Sequence, residues 1–224
     1  LTHYPAESVV THAYAFAEEA HRDTRRASGE PYVTHVIAVA ETVHEWGLDE
    51  SSVAAALLHD VVEDTAFTLK DIEQRFGSEV AFLVGGLTKL KNISYSPEQR
   101  DVENLRKLIL SFAKDLRVLI VKLADRLHNM QTVGSLSFER QKKLAWETME
   151  VYAPLAYRLG MQKLSGELDD LALPYANPEG YAWLKENVES SYEERLAYAE
   201  RVKPIIAVAL TEHHINPIRI DTRA

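Results

Sequence analysis

Apolar positions recur every three or four residues through most of this 224-residue chain. That is the period of an α-helix burying one face. Period-two alternation, the mark of a half-buried strand, is scarce. The pattern predicts helices over 6–22, 33–46, 52–63, 68–77, 78–90, 101–112, 115–131, 137–159 and 179–202. On the first, Val9, Val10, Tyr14, Ala17 and Ala20 share a stripe; on the second, Val36, Val39, Ala40 and Val43 do. The 115–131 helix is apolar nearly all round, as expected of one in the middle of a bundle. Asp49 or Ser51 can cap the helix at 52, and Thr68 with Asp71 has the spacing of a capping box. Gly47 and Gly77 read as helix stops, and Pro154 as a kink or break. Residues 25–32 and 92–100 read as loops. The tail is different: after Pro217, Ile218-Arg219-Ile220 alternates like the start of a strand. The expected class is all-α.

Composition narrows the chemistry. The chain is 46% hydrophobic and 26% charged, ordinary for a globular protein with a sizeable core. It has no cysteine, which excludes disulfides, thiolate nucleophiles and cysteine-type zinc sites. A net charge of −9 leaves no general footprint for nucleic acid. A small anionic ligand would need a local basic patch or a metal. No apolar run is long enough to span a bilayer, and a cytoplasmic protein is expected.

Against this background "ALLHDVVEDT", residues 56–65, stands out. His59-Asp60 and Glu63-Asp64 put four ionisable groups into an apolar run. On one helix, pairs four residues apart share a face, so all four can line one edge. Imidazole plus carboxylate suits a divalent transition metal, and two more donors are within reach of the pattern. His35 opens a helix whose other face is apolar. Asp125 sits in "LIVKLADRLHNM", where an unpaired carboxylate is costly. His35, His59, Asp60 and Asp125 would leave positions for a substrate oxygen and a water, with Glu63 and Asp64 placed to work on that water. A plainer reading remains open on spacing alone: a wet helix face, a satisfied core histidine, and Asp125 paired with Lys122 or Arg126.

The blocks "SGEPYVTH", "LLHDVVEDT", "GLTKL", "VKLADRLHNM", "ETMEVYAPLAYRLG" and "GELDDLALPY" change the balance. In order and spacing they resemble the HD superfamily of metal-dependent phosphohydrolases, and within it the Rel/Spo-type (p)ppGpp hydrolases, over about residues 10–180. The resemblance implies an HD-domain helical bundle. It implies Mn²⁺ on His35, His59, Asp60 and Asp125, and Glu63 and Asp64 acting on the water that attacks the 3′-pyrophosphate of guanosine tetra- or pentaphosphate. Products would be GDP or GTP and pyrophosphate, degrading the alarmone of the stringent response. Arg26 matches a basic residue that stacks on guanine, and Asn129 one near the nucleoside. Ser28, Tyr32, Lys89 and Lys122 are further expected ligand contacts.

Two departures stand in the motifs. Ala27 replaces a second basic residue, and Val36 replaces a proline after the first histidine. The resemblance further implies a hydrolase domain over 1–160, a helical connector over 161–205, and over 206–224 the start of a synthetase region that this chain does not complete. Two other functions remain open: another HD-type nucleotide phosphohydrolase, or a nucleotide-binding regulatory module without catalysis.

Overall fold

The computed structural model describes residues 4–91, 115–217 and 220. The expected helix over 101–112, the loop over 92–100 and the strand start at Ile218-Arg219 lie outside the described residues. Within them the chain is α-helical and contains no strand, only a single bridge between Arg25 and Pro31. Two compact units are present, Leu1–Ala172 and Leu173–Ala224.

In the first unit, α1 (Val9–Ala20) is capped by Ser8, whose hydroxyl accepts from the Thr11 amide at 3.2 Å. Its buried residues are Val10, Ala13, Phe16 and Ala17. The expected stripe was therefore rotated: Val9, Tyr14 and Ala20 lie at its half-buried margin. In α2 (Val33–Glu45), Val36, Val39, Ala40 and Val43 are buried as the spacing predicts, together with His35.

The span 52–63 is not one helix. α3 (Glu50–Leu58) ends at His59-Asp60, and a single turn, α4 (Val61–Asp64), follows. The physical reason is local. The His59 ring lies 2.7 Å from the Ala56 carbonyl, which an uninterrupted helix would give to the Asp60 amide. Asp60 then sits at φ −99°, ψ −8°, in the sparsely allowed bridge region. Asp49 caps α3, accepting from the Ser52 amide at 2.8 Å. Every residue from Ser52 to Leu58 is buried, because α3 packs against α1, α2, α5 and α6.

α5 (Leu69–Lys91) joins the two helices expected on either side of Gly77, which breaks the helical backbone at φ 87°. Thr68 and Asp71 form the capping box: the Thr68 amide donates to Asp71 at 2.7 Å, and the Asp71 amide to Thr68 at 3.4 Å. α6 (Leu116–Gln131) buries its expected apolar positions except Leu116 and Ile120, and among them Asp125 and Arg126. Gly86 permits a close approach of α5 to α6, since a Cβ there would meet Val118 Cγ2 at 2.9 Å.

The stretch 137–159 breaks just before Pro154. α7 (Phe138–Glu147) passes into a π-helical turn, Thr148–Tyr152, and then into α8 (Ala153–Arg158). A widened turn relieves the clash between a proline ring and the carbonyl four residues earlier. α9 (Gln162–Ala176) follows. In the second unit, α10 (Pro178–Glu212) runs ten residues past the expected end at 202, through Pro204. Among the described residues no helix is long and apolar enough to cross a membrane.

Candidate metal centre and its cavity

Three elements converge at the end of α3. α2 presents His35, the α3–α4 junction presents His59 and Asp60, and α6 presents Asp125. All four are buried. One donor atom from each of His35, His59 and Asp125 lies within 4.8 Å of the others. His35 Nε2 is 3.2 Å from Asp125 Oδ1 and 3.8 Å from Asp60 Oδ2. His59 Nε2 is 3.0 Å from Asp60 Oδ2 and 3.7 Å from Asp125 Oδ1.

The donor set fits a divalent cation. A carbonyl can only accept, so His59 Nδ1 must donate to Ala56 and the neutral ring turns its Nε2 lone pair inward. That Nε2 is buried and has no hydrogen-bond partner, although two carboxylates lie close by. Nitrogen and oxygen lone pairs facing one point without a donor between them is the geometry of a metal site. With no cation there, the two carboxylates favour a proton on Nε2 in its place. Burial alone would lower the His59 pKa, but Asp60 and Asp125 outweigh it and raise it to about 10. The cluster thus favours one positive charge there. Burial works against the Asp125 charge, yet Lys122 and the two histidines hold its pKa well below the usual carboxylate range.

A second layer of side chains holds these groups. The Tyr32 hydroxyl donates to Asp60 Oδ2 at 2.5 Å. Burial, then the charges of Asp60, Asp64 and Asp125, push the Tyr32 pKa far up, so it remains a donor. Lys122 Nζ and Asn129 Nδ2 donate to the two oxygens of Asp125, at 2.5 and 2.6 Å. Arg26 Nη2 donates in turn to Asn129 Oδ1 at 2.9 Å and to Thr132 Oγ1 at 3.3 Å. Its guanidinium carbon stands 5.9 Å from the Tyr32 ring centre. Arg26 is carried by a closed turn in which its amide donates to the Glu30 carbonyl and its own carbonyl accepts from the amide of Gly29, whose φ is +90°. Glycine adopts that φ without strain.

A cavity of about 410 Å³ opens beside these groups, with His59 and Thr132 outside its wall. Arg26, Tyr32, His35, Asp60, Lys122, Asp125 and Asn129, all singled out from the sequence, are in its wall. Ser28 is exposed beside Glu30 and is not in the wall. Glu63 and Asp64 sit one turn beyond Asp60 on α4, half-buried and exposed respectively, outside the lining. Lys89 lies in α5, and its side chain is outside the described residues. Sequence reasoning passed over Arg140, Thr132 and His128. His128 Nδ1 lies 2.8 Å from His35 Nδ1. Its place three residues after Asp125, on the same helix face, was the available signal.

The HD domain family profile matches residues 13–162, more than half of the chain and the whole of this cluster. The chain belongs to the HD domain family. It is 42% identical over 216 residues to a probable guanosine-3′,5′-bis(diphosphate) 3′-pyrophosphohydrolase of Synechocystis sp., covering 96% of this chain and 28% of that protein. It is 44% identical over 195 residues to a guanosine-3′,5′-bis(diphosphate) 3′-pyrophosphohydrolase of Haemophilus influenzae, covering 87% and 29%. The chain thus spans less than a third of these curated relatives. A solved structure, described as a metazoan ortholog of SpoT that hydrolyzes ppGpp and plays a role in starvation responses, superposes with a TM-score of 0.51. It is 29% identical and covers 75% of this chain and 95% of its own.

Proposed function

We propose that this HD domain hydrolyses the 3′-pyrophosphate of guanosine tetra- and pentaphosphate with Mn²⁺ as its cofactor. The observation that carries the reading is the hydrogen-bonded path Arg26–Asn129–Asp125, which ties a cationic nucleotide contact to a metal donor inside one cavity. The activities named for the relatives support the substrate.

His35, His59, Asp60 and Asp125 would hold the ion. When bound there, Mn²⁺ supplies positive charge against phosphate oxygens and acidifies water. The chain's own groups do the rest. Arg26, held by Asn129 and Thr132, offers its planar face to the guanine. Asn129 keeps its place beside the nucleoside, and Tyr32 fixes Asp60. Lys122 balances the charge of Asp125 at the wall where the phosphates enter. Glu63 and Asp64 orient a water and take its proton. The water oxygen bonds to the phosphorus next to the 3′-oxygen, and the bond from that phosphorus to the 3′-oxygen breaks. The 3′-oxygen gains a proton, leaving GDP or GTP and free pyrophosphate. The cysteine-free composition fits a cytoplasmic setting for this chemistry.

A nucleotide panel tests the substrate. With Mn²⁺ present, ppGpp and pppGpp should be consumed, while GTP and cyclic dinucleotides are left. Equal turnover of nucleotides lacking a 3′-pyrophosphate would contradict the reading.

A further inference from the structure

We infer that His128 is a positioning residue for His35: it accepts the Nδ1 proton of His35 and so turns the Nε2 lone pair toward the metal cluster. The inference rests on the proposed metal role of His35, not on the identity of the substrate.

The geometry is specific. His35 Nε2 faces Asp125 and Asp60, while His35 Nδ1, at the other ring nitrogen, lies 2.8 Å from His128 Nδ1. The ring centres are 4.8 Å apart. Two ring nitrogens at that separation share one proton. If His35 holds it, His35 Nε2 is a bare lone pair and a ligand. If His128 holds it, the proton of neutral His35 sits on Nε2 and blocks the metal. His59 solves the same problem with the Ala56 carbonyl. His35, in the first turn of α2, uses a side chain of α6 instead. His128 also stands three residues from Asp125 and one from Asn129, so one face of α6 supplies a donor to the cluster, the support of that donor, and the support of His35. Outer partners of ligating histidines fix the tautomer and ring orientation, and their loss typically costs 10–100-fold in metal affinity.

The test is Mn²⁺ titration of the metal-free chain by calorimetry, without nucleotide. His128→Ala should bind about 10–100-fold more weakly than wild type. His128→Asn, whose amide oxygen can take the position of Nδ1, should recover most of the loss. At saturating Mn²⁺ the turnover number of His128→Ala should return close to wild type, because the defect lies in metal affinity. Unchanged binding by His128→Ala, or no rescue by asparagine, overturns the inference. A variant that fails to fold leaves a direct readout on the wild type. In ¹⁵N-resolved spectra of the Zn²⁺-loaded chain, His35 Nδ1 should carry the proton and His128 Nδ1 should not; the reverse overturns the inference. Failure of the substrate reading is separate, since it would abolish ppGpp turnover while the histidine dependence of Mn²⁺ binding persisted.

Discussion

At the scale of single residues, the pairing around Asp125 is the most exacting feature. Its two oxygens receive Lys122 and Asn129, and one also faces both histidines. Removing one member of a buried charge pair leaves the other uncompensated, which costs about 3–5 kcal/mol. Asp125→Ala should therefore lower unfolding stability of the metal-free chain by about that amount in urea titrations and abolish Mn²⁺ binding. Glu63 and Asp64 should behave differently. They stand outside the cavity lining, one turn beyond Asp60 on α4. Glu63→Gln and Asp64→Asn should keep Mn²⁺ affinity while turnover falls about 10²–10⁴-fold, the usual size of acid–base assistance. Parallel metal titration and kinetics separate the two effects.

At the scale of elements, three helices must hold their positions within fractions of an ångström for the donors to meet. Gly86 sets how closely α5 approaches α6. Gly86→Ala should cost about 1–3 kcal/mol through overpacking on Val118. Adding Val118→Ala should return part of it, as denaturant midpoints would show. The start of α6 is tied to α3 and α5 by Arg117, which bonds Asp115, Asp49 and Glu79. The Arg117 hydrogen bonds hold the Asp115 pKa below its ordinary value of 3.8, against the opposing effect of burial. A depressed carboxylate stabilises the fold fully above its unfolded pKa, and this contribution is lost as pH falls through the folded value. The stability gap between wild type and Arg117→Met should thus hold steady from neutral pH down to about 5 and shrink below about 4, by denaturant unfolding at each pH.

At the scale of the molecule, the helical period placed the buried faces well where one face meets one core. α2 is the clear case, with Val36, Val39, Ala40 and Val43 all buried. It did not reveal the turn at His59-Asp60, because that break depends on a side chain capturing the Ala56 carbonyl, which leaves no mark in hydrophobic spacing. Nor did it show that α3, rather than α6 alone, occupies the centre of the bundle. An alanine-rich helix has too small a hydrophobic contrast for its full burial to be read from period. His35, His59, Asp60 and Asp125 stood out because titratable groups in apolar runs demand a partner, but spacing alone left an ordinary ion pair open, and the motif resemblance was needed to favour a metal. His128 did not stand out, since a histidine near a helix end reads equally as a surface residue. The polar contacts of Arg26 were equally hidden: Asn129 and Thr132 are more than one hundred residues away in sequence.

The most direct measurement is ³¹P NMR of the purified chain incubated with ppGpp, with Mn²⁺ or with excess chelator. With Mn²⁺, the 3′-pyrophosphate signals should give way to free pyrophosphate in equal amount to GDP, with the 5′-diphosphate untouched and no change under chelator. Release of orthophosphate, loss from the 5′ side, or no turnover with Mn²⁺ bound would contradict the account.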